Sequence, residues 1–269
     1  MICLGLSGRF RYMHIFLRKV RVALTPRRWL LKTHLADGTV VFGRNRAGYG
    51  GRGVYVFRNT LEPEFEHLEK FLVPGGVFLD VGANIGIYAI KAAQFFRIIG
   101  GGTVVAYEPL PEMLAELNHN IAANGFENVR LRSFCLGAKR ATAELYVNFD
   151  RPSSSGLIGH DPKAARISAL VLPLDEVFLL EKLDRLDYVK MDVEGAEEQV
   201  VSGAMETFKS YRPIIQLEIS HKNAALNLPA YSEWQSPGGP NKVCVPDESE
   251  KNEVARQLGW RKLSGVCEK

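Results

Sequence analysis

The sequence predicts an α/β fold built on a mostly parallel, doubly wound sheet. Three observations predict it. From Val77 onward, short apolar runs alternate with segments of helical period. Several of those runs end in an acid, and glycine or proline punctuates the turns between them. The 269 residues suit one large domain with extensions, and 46% hydrophobic with 24% charged residues excludes collagen-like, coiled-coil and wholly disordered chains. No stretch approaches the ~20 apolar residues of a bilayer crossing, and the start of the chain lacks a secretory signal's apolar core and cleavage site. Cys3, Cys135, Cys244 and Cys267 lie far apart with no CxxC pair, which argues against a disulfide framework or zinc knuckle and suits a cytoplasmic location.

Residues 1–32 form a basic arm. Arg9, Arg11, Arg18, Lys19, Arg21, Arg27, Arg28 and Lys32 occur there with no acid, so the net charge of +4 hides a body that is net negative. A nucleic-acid-binding body is therefore not expected. The arm reads either as a solvated terminus or as a weak contact for anionic groups, including a membrane surface. Residues 33–60 read as a β-hairpin extension: 29–44 gives two strands joined at Asp37-Gly38, and VYVFRN gives another short strand. In 61–72, Phe65, Leu68, Phe71 and Leu72 have helical spacing.

The main domain is expected over 61–235. GVFLDVG, TVVAYE and VRLRSF are its first strands, separated by helices over IGIYAIKAAQFFRII and LPEMLAELNHNIAANG. The first helix stops at three glycines and the second at Asn124-Gly125. Residues 137–173 interrupt with the strands ATAELYV and ISALVL around RPSSSGLIGH, a small-residue loop that suits either a substrate cover or a plain surface loop. LDYVKMDVEG, a helix over AEEQVVSGAMETF and the strand RPIIQLEIS resume the alternation. Residues 236–269 are expected to complete the sheet with a helix (KNEVARQLG) and a last strand (WRKLSGV). Tyr231 and Trp234 read as packing residues or as a stacking platform for a sugar ring.

Ligands of an open parallel sheet bind beyond the carboxyl ends of the strands. Asp80, Glu108, Asp192 and Glu218 all end predicted strands there. Such a cluster calls for a cationic ligand, donor hydroxyls or nearby basic side chains. Gly82 lets the backbone turn tightly next to a ligand, Gly86 allows close strand–helix packing, and Glu108 can take both hydroxyls of a ribose. Lys190, Asp192 and Glu194 alternate on one face, so a buried lysine needs carboxylate partners. Asp192 or Glu194 can orient an acceptor or take its proton while Lys190 restrains their charge. The structural reading is an ion pair followed by a helix N-terminal acid.

DVGANIG, AYEP, YVKMDVEGAE and RPIIQLE, in that order and at these separations, resemble the FkbM family of S-adenosylmethionine-dependent methyltransferases over roughly residues 35–220. Residues 190–197 are the most family-specific stretch, since DVGANIG alone indicates only the wider methyltransferase fold. The resemblance implies a Rossmann-like class I methyltransferase fold with a seven-stranded sheet. It also implies S-adenosyl-L-methionine as cofactor and O-methylation of a hydroxyl on a sugar, glycan or natural product. By position, Asp80, Gly82, Asn84 and Gly86 would frame the methionine end of the cofactor, Glu108 would hold its ribose, and the Cys135–Leu136–Gly137 backbone would edge its adenine.

Asp192, Glu194, Lys190 and His221 are the catalytic candidates, His221 as an alternative base just past a strand. No metal is expected, because no histidine pair has ligand spacing. Two other readings compete. A nicotinamide-dependent oxidoreductase would use the same glycine turn, but the third glycine of its fingerprint is missing. A catalytically silent cofactor-binding scaffold would act through the basic arm.

Overall fold

The computed structural model of the chain describes residues 4–27, 29–48, 50–148, 155–157, 165–218 and 228–263. The basic arm is helical: Leu4–Leu24 form α1. The expected hairpin follows as β1 (Leu30–His34) and β2 (Val40–Arg44), antiparallel, with Gly38 at φ 83° in the turn. It begins a few residues before 33. VYVFRN is not a strand. It lies largely in a helix, α2 (Gly51–Phe57). A short run of valines and aromatics has no decisive period, and packing chooses its conformation. Here Gly51 seats its backbone directly on the hairpin: a Cβ at Gly51 would lie 2.5 Å from the carbonyl carbon of Gly43.

The helix expected over 61–72 appears as α3 (Pro63–His67) and a 3₁₀ turn over Leu68–Lys70. The alternation then runs β3 (Val77–Val81), α4 (Ile87–Ile99), β4 (Thr103–Tyr107), α5 (Pro111–Asn124) and β5 (Val129–Arg132). Gly100 and Gly125 end the two helices in the left-handed conformation, as the sequence indicates. Next come β6 (Cys135–Leu136), β7 (Ala141–Val147) and β8 (Ala165–Leu172), a separate three-stranded sheet in the order β6-β8-β7.

After α6 (Leu174–Leu180) and β9 (Tyr188–Met191), the single helix expected over 196–208 is two, α7 (Glu197–Ser202) and α8 (Met205–Tyr211). Gly203 breaks it by packing against the Gly137 carbonyl, 2.0 Å from where a Cβ would sit. Asp175 then caps α8 through Thr207 N at 2.8 Å. β10 (Ile214–Glu218), β11 (Tyr231–Gln235), β12 (Asn241–Pro246), α9 (Lys251–Gln257) and β13 (Arg261–Lys262) complete the described chain.

The main sheet has the order β13-β11-β12-β10-β9-β3-β4-β5. It holds eight strands where seven are expected: the strand expected over WRKLSGV is the two-residue edge strand β13, whereas β11 and β12 are strands that the sequence reading did not indicate. The five strands from β10 to β5 are parallel, while β12, β11 and β13 join antiparallel. β11 and β12 are partners on either side of residue 236, so the expected boundary there divides a hairpin.

Strand alternation separates two cores. Phe78, Tyr188, Ile214 and Val243 face α4 and α5, while Leu79, Val189, Ile215 and Cys244 face α6, α7 and α8. The chain winds outward from β3 on one side and from β9 on the other. That β3/β9 boundary is the switch point where such sheets open a ligand crevice.

Candidate active site

The turn after β3 is shaped by its neighbours. Gly82 sits at φ 77°, and a Cβ there would lie 1.9 Å from the Asp192 carbonyl oxygen. Its requirement therefore comes first from the end of β9, which the sequence could not reveal. Gly86, at φ 83°, would drive a Cβ to 2.0 Å from the Leu117 side chain, so it serves helix–helix packing against α5 instead of strand–helix packing. Asn84 takes the left-handed conformation at φ 54°, where its Oδ1 accepts from Ile85 N at 2.8 Å. Its own N–H donates to Glu108 Oε2 at 2.8 Å.

Asp80 does not line the crevice. It is 1% exposed, and its Oδ2 accepts from Ala89 N at 2.9 Å in the first turn of α4. Gly86, which has no side chain, occupies the N-cap of α4, and Asp80 supplies the missing carboxylate from the preceding strand.

Two cavities open at the switch point. The first, about 110 Å³, is lined by Glu108 and by Leu110, Phe134, Cys135 and Leu136, which form an apolar slot. Ser155, Gly156 and Leu157 roof it, with Gly156 bonded to Tyr146 through both backbone groups. Those three are the described part of the small-residue loop; the rest of it lies outside the described residues. The second cavity, about 330 Å³, lies between the turn after β3 and residues 46–62, with Arg46, Arg52, Glu62, Tyr88 and Lys190 among its walls. Gly82, Asn84 and Asp192 line both.

Glu108 Oε1 accepts from Leu110 N at 2.9 Å, so each carboxylate oxygen holds one backbone N–H and keeps a further lone pair for a ligand hydroxyl. Burial pushes Glu108 up to about 7 despite those two bonds. Burial likewise raises Asp80 to about 6, against the pull of Lys190 and of the Ala89 N–H. Glu194, at the rim and at φ 52°, is pushed up to about 7, first by withdrawal from water and then by Asp192, Glu218 and Glu197.

Lys190 is buried, and burial opposes its charge. Asp192, Asp80 and Glu62 together outweigh that penalty and hold its pKa above the ordinary lysine value, so it remains an ammonium. Its Nζ donates to Asp192 Oδ2 at 3.1 Å and sits 5.3 Å from the centre of the Tyr88 ring. Glu197 Oε1 accepts from Val193 N and Gly195 N, each at 3.3 Å, and fixes the turn that carries Glu194.

The structure thus brings Asn84, Gly82, Glu108, Cys135, Leu136, Asp192 and Glu194 to the first cavity and Lys190 to the second. Asp80 and Gly86 stand behind them. His221 lies outside the described residues. Burial pushes the Cys135 thiol up to about 12, so it lines the slot as an apolar group. Trp234 is a packing residue, buried with its indole N–H on Asn252 Oδ1 at 2.8 Å. Among the described residues, no three His, Cys, Asp or Glu side chains group in a metal-binding arrangement.

Sequence reasoning missed Phe134, Leu110, Glu62 and Tyr88. Glu62 accepts from the Tyr88 hydroxyl at 2.6 Å, and Gln216 Nε2 donates to that hydroxyl at 3.0 Å. No local pattern links these three positions, because only the fold brings them together.

The methyltransferase FkbM domain matches residues 80–235, more than half of the chain. Methyltransferase 1 of Beauveria bassiana is 28% identical over 171 residues, covering 53% of this chain and 68% of that protein. Among solved structures, the methyltransferase FkbM of Methylobacillus flagellatus shares 18% identity with a TM-score of 0.45 and covers 72% of this chain, which spans about half (53%) of that one. An S-adenosylmethionine-dependent methyltransferase of Aquifex aeolicus shares 16% identity with a TM-score of 0.37, over 75% of this chain and 80% of its own. By the extent of the domain match, which begins at Asp80 and contains the whole Lys190–Glu197 stretch, the chain belongs to the FkbM methyltransferase family.

Proposed function

We propose that the chain is an S-adenosylmethionine-dependent O-methyltransferase whose acceptor hydroxyl, on a sugar, glycan or natural product, enters from the second cavity. The observation that carries this reading is the position of Asp192. With Gly82 and Asn84 it lines both cavities, so a donor in one and an acceptor in the other meet at its carboxylate. The first cavity suits the cofactor chemically. Leu110, Phe134 and Leu136 offer an apolar slot for a purine, and Glu108 keeps free lone pairs for vicinal hydroxyls. The Glu194 carboxylate at the rim suits a cation at its other end.

S-adenosylmethionine, when bound, supplies a methyl group already activated on a sulfonium. The chain's own work is then placement and proton removal. Holding an acceptor oxygen in line is worth up to ~7–11 kcal/mol in favourable cases. Lys190 fixes Asp192 in one position, where its carboxylate would take the acceptor's hydroxyl proton as the methyl group moves from sulfur to oxygen, the S–C bond breaking to leave the neutral thioether S-adenosylhomocysteine. Glu194, raised to about 7 at the rim, is a carboxylate able to receive a proton near neutral pH. We also assign the chain to the cytoplasm, which suits the free thiols of Cys135 and Cys244.

Thermal shift with separate ligands tests the reading. S-adenosylmethionine or S-adenosylhomocysteine at ~100 times its dissociation constant should add ~2.7 kcal/mol of stability, and NAD(H) none. Stabilisation by NAD(H) alone would overturn the proposal in favour of an oxidoreductase. Cofactor binding without methyl transfer to any member of a hydroxyl library would leave the scaffold reading in its place.

A further inference from the structure

The first helix carries an exposed apolar face that packs on no other element among the described residues. At about 100° per residue, Phe16, Val20, Met13, Leu24 and Leu17 fall within an arc of roughly 100°. All are exposed, Phe16 by 64% and Leu24 by 80%. The opposite arc, Ile15, Arg18, Val22 and Thr25, is partly buried against the body. There Asn45 Nδ2 donates to the carbonyls of Val22 at 2.9 Å and Thr25 at 2.7 Å, and Arg18 donates to the Val56 carbonyl. The helix is thus held by one side and offers large apolar groups to the solvent on the other.

Charge identifies what covers that side. Arg21 and Lys19 border the apolar arc, one on each edge, and residues 1–32 contain eight basic side chains and no acid. No helix among the described residues is long and apolar enough to cross a membrane. A second copy packed face to face would set these basic edges against each other. A nucleic acid would meet Phe16 and Leu17 where it needs cations. An apolar stripe with basic borders and low net hydrophobicity fits the boundary between headgroups and acyl chains of an anionic bilayer.

We infer that α1 is an interfacial anchor that lies flat on anionic lipid membranes, with Phe16, Leu17 and Val20 in the acyl boundary and Lys19 and Arg21 among the headgroups. This inference is independent of the methyl-transfer reading.

Co-sedimentation of the full chain with vesicles tests it. Vesicles of phosphatidylcholine with about a third phosphatidylserine should bind the chain at least about tenfold more tightly than pure phosphatidylcholine, and raised salt should weaken that binding. The double variant Phe16→Ser/Leu17→Ser should lose at least about tenfold in affinity for the anionic vesicles. Its thermal midpoint should be unchanged, because both side chains are solvent-facing. Absence of sedimentation with anionic vesicles would overturn the inference, as would equal binding to neutral ones. A dimer in light scattering that the double variant dissociates, without vesicle binding, would assign the face to a second copy and overturn it too.

Discussion

The two walls of the cleft are built differently. The wall beneath the first cavity is made by backbone at strand ends: Gly82 against the Asp192 carbonyl, Asn84 bonded to Glu108, and Asp80 capping α4. Its polar side chains, Asn84 and Glu108, are held by backbone N–H groups. The wall around the second cavity is made by side chains from distant segments, with Arg52 on Asn45, Tyr88 on Glu62, and Lys190 on Asp192. The first wall therefore tolerates almost no change of shape, while the second can alter its lining and keep its frame.

The sharpest way to break the comparison is Gly82→Ala. A methyl group 1.9 Å from a backbone oxygen, at φ 77°, has no room and no relaxed conformation. A loss of at least about 3 kcal/mol of stability is expected by urea denaturation. A loss under 1 kcal/mol would show that the β3 and β9 ends can separate.

Glu108→Ala comes next. It leaves the N–H groups of Asn84 and Leu110 without their acceptor and removes the group assigned to the ribose. Cofactor affinity should fall by at least about 100-fold in calorimetry, equivalent to ~2.7 kcal/mol. An unchanged affinity would place the ribose elsewhere.

The raised acids give a pH signature. In Asp80 and Glu108 the folded pKa lies above the unfolded value, so the folded chain binds more protons between about pH 4 and 7. Their contribution therefore makes the ligand-free chain less stable as pH rises through that window. Glu108→Gln should flatten the decline in thermal midpoint measured against pH. Donor hydroxyls of a ribose favour the ionised carboxylate, so wild-type cofactor affinity should rise as pH passes about 7. A wild-type affinity that falls over that range would contradict the assignment of Glu108.

The smallest expected effect lies on the other wall. Tyr88→Phe removes a hydroxyl bonded to Glu62 and Gln216 without touching the first cavity. It should raise the acceptor KM several-fold and leave cofactor affinity within a factor of two. Equal losses for both ligands would mean that the two walls act as one.

The same division explains what the sequence made legible. The β-α-β core could be read because strand and helix periods there agree with glycine and proline stops, and Glu108 and Asp192 could be placed because they end strands at a switch point. α2 could not be read, since Val54-Tyr55-Val56-Phe57 is compatible with a strand and becomes helical through the contact of Gly51 with Gly43. The break at Gly203 depends on Gly137, more than sixty residues away in the chain. Asp80 looks like a ligand-facing acid in sequence because its strand ends at the crevice, yet α4 takes its carboxylate. The apolar face of α1 does not show in the composition of residues 1–32, where eight basic side chains and no acid stand out; only helical period aligns Phe16, Val20 and Leu24.

The central claim is that Asp192 serves the reaction from the junction of the two cavities, and Asp192→Asn tests it most directly. The substitution keeps the shape and removes the charge that pairs with Lys190. Single-turnover methyl transfer to an accepted hydroxyl substrate should slow by about 10²–10⁴-fold, while cofactor affinity by calorimetry stays within about threefold. Transfer at the wild-type rate would contradict the account and leave Asp192 a purely structural partner of Lys190.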